Sequence, residues 1–407
     1  MSTTKLFRTG LTLLAFLMLF TPLAEAHKPN QNYIYLSIYE NEIDCRVELR
    51  KSDIEQVFGF EFEAGEYPDL NDPQTLTMVD YILENLKFSS ASGDHELIFT
   101  GTDILDLGGN DFILFNFDLS NIDSIPSEMD IYDEIFLQEI SGHESLLHIE
   151  RNWKTGVLAN EALPSLIYGP ASTNQTLDIE EGSVFTGFMA MVKSGIYHIW
   201  IGLDHILFLI ALLIPSVVVY RPKDPKASWM GIKYTDFDTQ NSFKTALWSV
   251  VKIITIFTLA HSVTLSLAAL GVINLSSRLV ESIIAVSIAM AAYHNITPFL
   301  NKREWLIILI FGLFHGFGFA SVLAEQSRGG EYLVYSLVGF NIGVEIGQLV
   351  IILIAFPILF FLSKWKGYQT ILVGFSIALI AIATYWVIER AFDIDLKLLT
   401  WLVNLFK

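Results

Sequence analysis

The sequence predicts a two-part fold: an N-terminal β-rich, sandwich-like soluble domain with one or two helices, then an all-α polytopic membrane bundle of about six transmembrane helices. Three observations predict it. Charge is unevenly placed, because residues 27–182 hold 31 Asp and Glu against 7 Lys and Arg, whereas the second half of the chain is a series of long apolar runs. Apolar residues in the acidic half recur with period two, as in half-buried strands. Those in the second half continue for roughly 20 residues at a time, the length that crosses a bilayer.

The divisions read as a signal peptide at 1–26, an extracytoplasmic acidic domain at 27–182, a transmembrane domain at 183–390 and an interfacial tail at 391–407. Lys5 and Arg8 form a positive start, Leu11–Phe20 a short apolar core, and Ala24-Glu25-Ala26 an A-x-A cleavage site. Cleavage there leaves His27 first, and its amine and imidazole together can chelate one metal ion. His27 is therefore a candidate ligand. Cys45 is the only cysteine, which excludes an intrachain disulfide and a thiolate metal site. A net charge of -19 argues against a nucleic-acid partner.

Within the acidic domain, Ile43, Cys45, Val47 and Leu49 alternate with Asp44, Arg46, Glu48 and Arg50, and Ile113, Phe115 and Phe117 alternate after the turn Gly108-Gly109-Asn110. Further strands are expected near Tyr33–Tyr39, His95–Thr100, Ile131–Glu139 and Ser145–Arg151. Ser52-x-x-Glu55 reads as a capping box opening a short helix. Asp72-Pro73 starts a second, with Leu76, Val79, Ile82, Leu83 and Leu86 on one face. The Pro, Gly, Ser and Asn-rich stretch Leu163–Thr176 reads as a linker or a late hairpin.

Six spans are expected at Val184–Tyr220, Thr245–Val272, Leu279–Leu300, Trp305–Ala324, Leu333–Leu362 and Gln369–Ile388. Loops Arg221–Lys244, Asn301–Glu304 and Ser363–Gly367 carry nine Lys and Arg, against one each in Asn274–Arg278 and Glu325–Tyr332. The richer side is cytoplasmic by the positive-inside rule, which puts the acidic domain outside. The tail, with Leu396, Leu399, Trp401, Leu402 and Leu405, suits a surface-lying amphipathic helix.

The first span reads GIYHIWIGLDHILFLIALLIP and carries His198, Asp204 and His205. An ionisable group in hydrocarbon is costly and marks function by default. On a straight helix residues seven apart share an azimuth but stand roughly 10 Å apart along the axis, so one ion holds both imidazoles only if the helix loosens at Gly202. His261 has Thr258, Ser262, Thr264 and Ser266 as hydroxyl neighbours on its own helix. His315 sits in LFHGFGFAS, where Gly312, Gly316 and Gly318 clear space for close helix approach. Asn341, Glu345 and Gln348 form one polar stripe beside Gly343 and Gly347. Glu281 begins the third span, where an interfacial role serves about as well, and His294 ends it near the inner side, where a wet environment is the better account. The candidate metal set is thus His198, Asp204, His205, His261, His315, Glu345 and His27, supported by Asn341, Gln348 and Glu281. Imidazole and carboxylate without thiolate suit Ni, Co, Zn or oxidised Cu better than Cu(I). No G-x-x-x-x-G-K-[ST] phosphate loop is present, which argues against direct ATP coupling.

HIWIGLDHILFL, FTLAHSVTLSLAAL, VESIIAVSIAMA, GLFHGFGFAS and GFNIGVEIGQL together resemble the HupE/UreJ family of nickel and cobalt membrane proteins, in its branch with an N-terminal extracytoplasmic domain. The resemblance covers about Gly195–Leu353. It implies a bacterial inner-membrane permease for a divalent transition metal, partnered by the lipid bilayer, the ion and metalloenzyme maturation machinery. His198, Asp204, His205 and His315 match the family's motifs. One departure stands out: where the family pattern FHGxAHGxE carries its second histidine and its glutamate, this chain has Phe319 and Val322. Glu345 or His261 is left to supply the missing ligands. Two other classes stay open. One is an intramembrane zinc-dependent hydrolase, which needs three converging ligands and an open water position. The other is a metal-binding sensor or assembly factor anchored in the membrane.

Overall fold

A computed structural model of the chain describes residues 30–60, 72–105, 111–160, 163–179, 181–221, 228–229, 232–233, 236–240, 242–273, 275–298, 304–319, 330–392 and 394. The signal segment, His27, the turn at 108–110, Val322 and nearly all of the C-terminal tail lie outside those residues. The chain divides into two compact units, Met1–Glu150 with Ala159–Ile179, and Arg151–Leu158 with Glu180–Lys407.

The first unit contains the strands β1 (Gln31–Ile38), β2 (Ile43–Arg50), β3 (Leu86–Ser90), β4 (Gly93–His95), β5 (Leu97–Leu105), β6 (Phe112–Leu119), β7 (Glu128–Asp133), β8 (Glu144–Asn152), β9 (Leu166–Tyr168) and β10 (Asn174–Asp178). They form a six-stranded sheet ordered β5-β6-β2-β1-β8-β9 and a four-stranded sheet ordered β10-β7-β3-β4. The period-two reading of β2 holds, since Ile43, Cys45, Val47 and Leu49 all enter one core with Ile113, Phe115 and Phe117 of β6. Met129 and Ile131 of the second sheet complete that core. Pairing is antiparallel along β1–β2, β2–β6 and β5–β6. Strands β1 and β8 instead run the same way, because Asn32–Ser145 and Ser37–Glu150 both join side chains 113 residues apart. A parallel pair needs a long crossover, which the intervening strands and helices supply.

Helices α1 (Lys51–Phe58) and α2 (Pro73–Asn85) interrupt the strands. The capping box is not used: α1 starts two residues earlier, behind Arg50, which makes no side-chain cap, and the Ser52 hydroxyl turns to Asp53. The second start is as expected, with Asp72 accepting the Gln74 amide at 2.9 Å ahead of Pro73. Its buried face is Thr75, Met78, Val79 and Ile82, while Leu76 and Leu83 are exposed and Leu86 opens β3. Leu163–Thr176 is neither a free linker nor one hairpin. Its strand β9 joins the six-stranded sheet and β10, which starts at Asn174, joins the four-stranded one.

The second unit is helical: α3 (Val184–Ile201), α4 (Leu203–Ser216), α5 (Phe243–Ala269), α6 (Ser277–Ile296), α7 (Glu304–His315) with a 3-10 turn at Gly316–Phe319, α8 (Gly330–Leu362) and α9 (Tyr368–Phe392). Among the described residues four helices, α5, α6, α8 and α9, are long and apolar enough to cross a membrane. The pair α3 and α4 adds a fifth span, bent by 71°. The segment expected to be the fourth span contributes a helix of only 12 residues. Large apolar side chains such as Leu259, Val263, Leu353, Ile354, Ile358 and Phe361 point outward from these helices. That surface suits lipid, where apolar exposure carries no hydration penalty.

Glycines set how closely the helices approach. On α8, Gly339, Gly343 and Gly347 recur every four residues, so they form one smooth strip. A Cβ on Gly343 would collide with the Val192 carbonyl of α3, and one on Gly195 of α3 with the Phe340 carbonyl of α8. Gly312 and Gly316 do the same for α7 against α5, at Phe257 and His261. Small-residue contacts of this kind replace the hydrophobic drive that lipid cannot provide. The short segment Arg151–Leu158 is pinned to the same unit by Trp153, whose indole N–H donates to Ser336 at 2.8 Å and whose ring stacks on Tyr332 at 4.5 Å.

Candidate metal centre

Gly202 creates the centre. It ends α3 with an extended ψ of 97°, and α4 restarts at Leu203 with Asp204 in its first turn. Glycine is a poor helix former, and an acid at a helix start complements the positive dipole end. The bend folds α4 back so that the rings of His198 and His205 stand 4.6 Å apart, less than half the straight-helix separation. His261 of α5 joins them, and one nitrogen from each of the three histidines lies within 4.8 Å of the others. Two ligands on a single ion with bonds of about 2 Å are at most about 4 Å apart, so a small inward movement of the rings seats an ion.

A hydrogen bond fixes the His205 ring. Asp204 Oδ1 accepts both the backbone N–H and the Nδ1–H of His205, at 2.9 and 3.0 Å. A carboxylate cannot donate, so the His205 lone pair resides on Nε2, which is buried and makes no hydrogen bond. His315 repeats the device: its Nδ1 donates to the Phe311 carbonyl at 2.8 Å, and its buried Nε2 is left unpartnered. Its ring is 5.5 Å from that of His205, beside the group of three and in contact with Phe208 and Phe257. An imidazole fixed by one hydrogen bond with its other nitrogen bare is the arrangement metal-ligating histidines use.

His261 is not held by the hydroxyls of its own helix. The hydroxyls around it bond to backbone instead: Ser262 to the Thr258 carbonyl at 2.7 Å, Ser266 to Ser262 at 2.7 Å, and Thr264 to the His261 carbonyl at 3.2 Å. Such i-4 bonds are the usual resting place of hydroxyls in membrane helices. Among the described residues neither ring nitrogen of the fully buried His261 meets a partner in full hydrogen-bond geometry, and the Asn341 side chain is a polar neighbour that interacts with it.

A family model described as HupE / UreJ protein matches residues 173–390, more than half of the chain. The chain belongs to the HupE/UreJ family. No curated protein matches it. For this HupE/UreJ member the match extends past the motif region on both sides, from before α3 to near the end of α9.

The remaining candidates divide. On α8, Glu345 accepts the Thr255 hydroxyl at 2.7 Å and keeps its Oε2 buried and unpartnered; Gln348 accepts the Thr258 hydroxyl at 2.9 Å. Gln348 and His205 also line one small void, together with Phe208, Leu209, Leu212, Ile254 and Phe257. Asn341 donates to the Leu337 carbonyl at 2.7 Å and leaves its Oδ1 unpartnered. Glu281 stands apart: it is half exposed and faces Arg390 of α9 at 3.6 Å, so it is tied up as an ion pair. His261, a candidate from the sequence, is the third imidazole of the group.

Proposed function

We propose that this HupE/UreJ protein is a permease for a divalent transition metal ion, nickel or cobalt first, bound in transit by His198, His205 and His261. His315 and Glu345 serve adjoining positions, and Asp204 orients His205. The observation that carries the reading is the convergence of three imidazoles in a water-poor interior, with His205 held in the tautomer that directs its lone pair inward. An N-terminal domain outside and lysine-rich loops inside give the orientation, and the acidic outer domain draws cations toward the membrane by its field. Elemental analysis of whole cells tests the reading. Expression raises the cellular content of one metal, and His205→Ala or His261→Ala returns it to background. Equal metal content with and without expression would sink the proposal.

Three converging histidines also meet the ligand count of a hydrolytic zinc site. Against that reading, the void beside His205 measures about 10 Å³, room for about one water and for no substrate. Hydrolysis of a peptide or ester substrate by the purified protein, lost in His205→Ala, would favour it over transport.

A further inference from the structure

A second cavity of about 380 Å³ lies among α4, α5, α6 and α7. Its described lining is mostly apolar, with Ser216, Gln240, Ser249, His294 and Asn295 as its polar members. Those five residues sit at the C-terminal end of α4, the approach to and start of α5, and the C-terminal end of α6. Each of these ends borders the lysine- and arginine-rich loops Arg221–Lys244 or Asn301–Glu304. At ~30 Å³ per water the cavity holds about a dozen waters, enough for an ion that keeps its hydration shell.

The cavity and the small void beside His205 share two lining residues, Phe208 and Leu212. His205, Phe208 and Leu212 are spaced i, i+3 and i+7, so they stack along one face of α4. The buried Phe208 ring stands 5.2 Å from Phe257, 6.2 Å from Phe311 and 5.4 Å from His315. Aromatic rings therefore close the short way from the histidine cluster to the cavity. An apolar constriction of this kind gates an ion path by excluding water.

We infer that this cavity is the vestibule through which a hydrated divalent cation passes between the histidine cluster and the lysine-rich side of the membrane, and that Phe208 is the gate. The inference rests on the transport reading. Cys45 is buried in the outer unit, so introduced cysteines can be read against it.

The test is labelling of the full-length protein in vesicles by a charged, membrane-impermeant thiosulfonate applied from the lysine-rich side. Ser249→Cys reacts readily and its modification stops metal flux. Ile254→Cys, in the void beyond Phe208, reacts about tenfold more slowly, and adding Phe208→Ala removes that difference. Phe208→Leu, which keeps an apolar core side chain, gives an intermediate rate and guards against a misfolded Ala variant. Vesicles that take up metal while Ser249→Cys resists the reagent would overturn the vestibule. Ile254→Cys reacting as fast as Ser249→Cys without Phe208→Ala would overturn the gate. Unmodified wild-type vesicles that move no metal would instead sink the transport reading itself.

Discussion

Asp204 and His205 are adjacent in sequence, and that adjacency performs a chemical task. The carboxylate accepts the Nδ1–H of His205 and so leaves the ring's lone pair on Nε2, the nitrogen open to a ligand. Removing the charge while keeping an acceptor, as in Asp204→Asn, should weaken metal affinity about 10- to 100-fold, the usual effect of losing a ligand's orienting partner. Calorimetric titration of the solubilised chain with Ni(II) reads this directly, and unchanged affinity in Asp204→Asn would remove the orienting role.

A second residue-scale prediction lies in the outer unit. Burial pushes the Asp133 carboxyl up to about 7, while it accepts the Ile135 amide at 3.0 Å. Burial pushes the neutral His143 down to about 4, with its Nε2 against Asn32. Between pH 5 and 6.5 the folded state holds the Asp133 proton that the unfolded chain loses, so this group stabilises less as pH rises. His143 does the reverse, because the unfolded chain takes up a proton there that the fold refuses, and stability falls as pH drops. The two cancel over that window for wild type. Asp133→Asn leaves only His143, so stability should climb by about 2 kcal/mol from pH 5 to 6.5. Denaturant melts of fragment 27–182 measure it, and a flat profile in Asp133→Asn would refute the assignment.

At the scale of elements, the break between α3 and α4 matters most. Gly202 has a φ of -70°, which any residue tolerates, yet an added Cβ would lie 2.7 Å from His205 Nδ1 and 2.8 Å from the His198 carbonyl. Alanine is also the better helix former by ~1 kcal/mol and favours a continuous helix. Gly202→Ala should therefore abolish metal uptake without reducing the amount of protein in the membrane. Normal uptake in that variant would mean that the bend is incidental. The outer domain shows how far element prediction reached. In β2, alternation alone placed four side chains correctly, because the apolar face enters the core while the polar face is covered only in part, with Glu48 buried against Arg46. In α2 the pattern found the helix and two residues of its inner face, Val79 and Ile82, but not the rest. Thr75 and Met78 go inward while Leu76 and Leu83 stay outside, since the neighbouring sheet, not hydrophobicity, chooses the face.

For the molecule as a whole, the number of crossings turns on α7. In the orientation we propose, the segment containing α7 crosses, which makes six crossings and puts the C-terminus outside. A fluorescent protein that matures only in the cytoplasm, fused after Lys407, should therefore stay dark. Bright cells would mean that the 12-residue helix does not complete a crossing.

Sequence alone determined the two-part division, the acid-rich strands, the apolar helices and the identity of the ionisable groups placed among them. These follow from local composition and periodicity, which each segment carries by itself. Tertiary structure alone decided that His198 and His205 meet and that His261 is the third imidazole beside them. It also decided that Glu281 is taken by Arg390, and that a cavity lies beyond Phe208. The reason is distance: a bend at one glycine and the close approach of helices bring together side chains separated by up to 109 residues, and no period along the chain encodes a meeting of that kind.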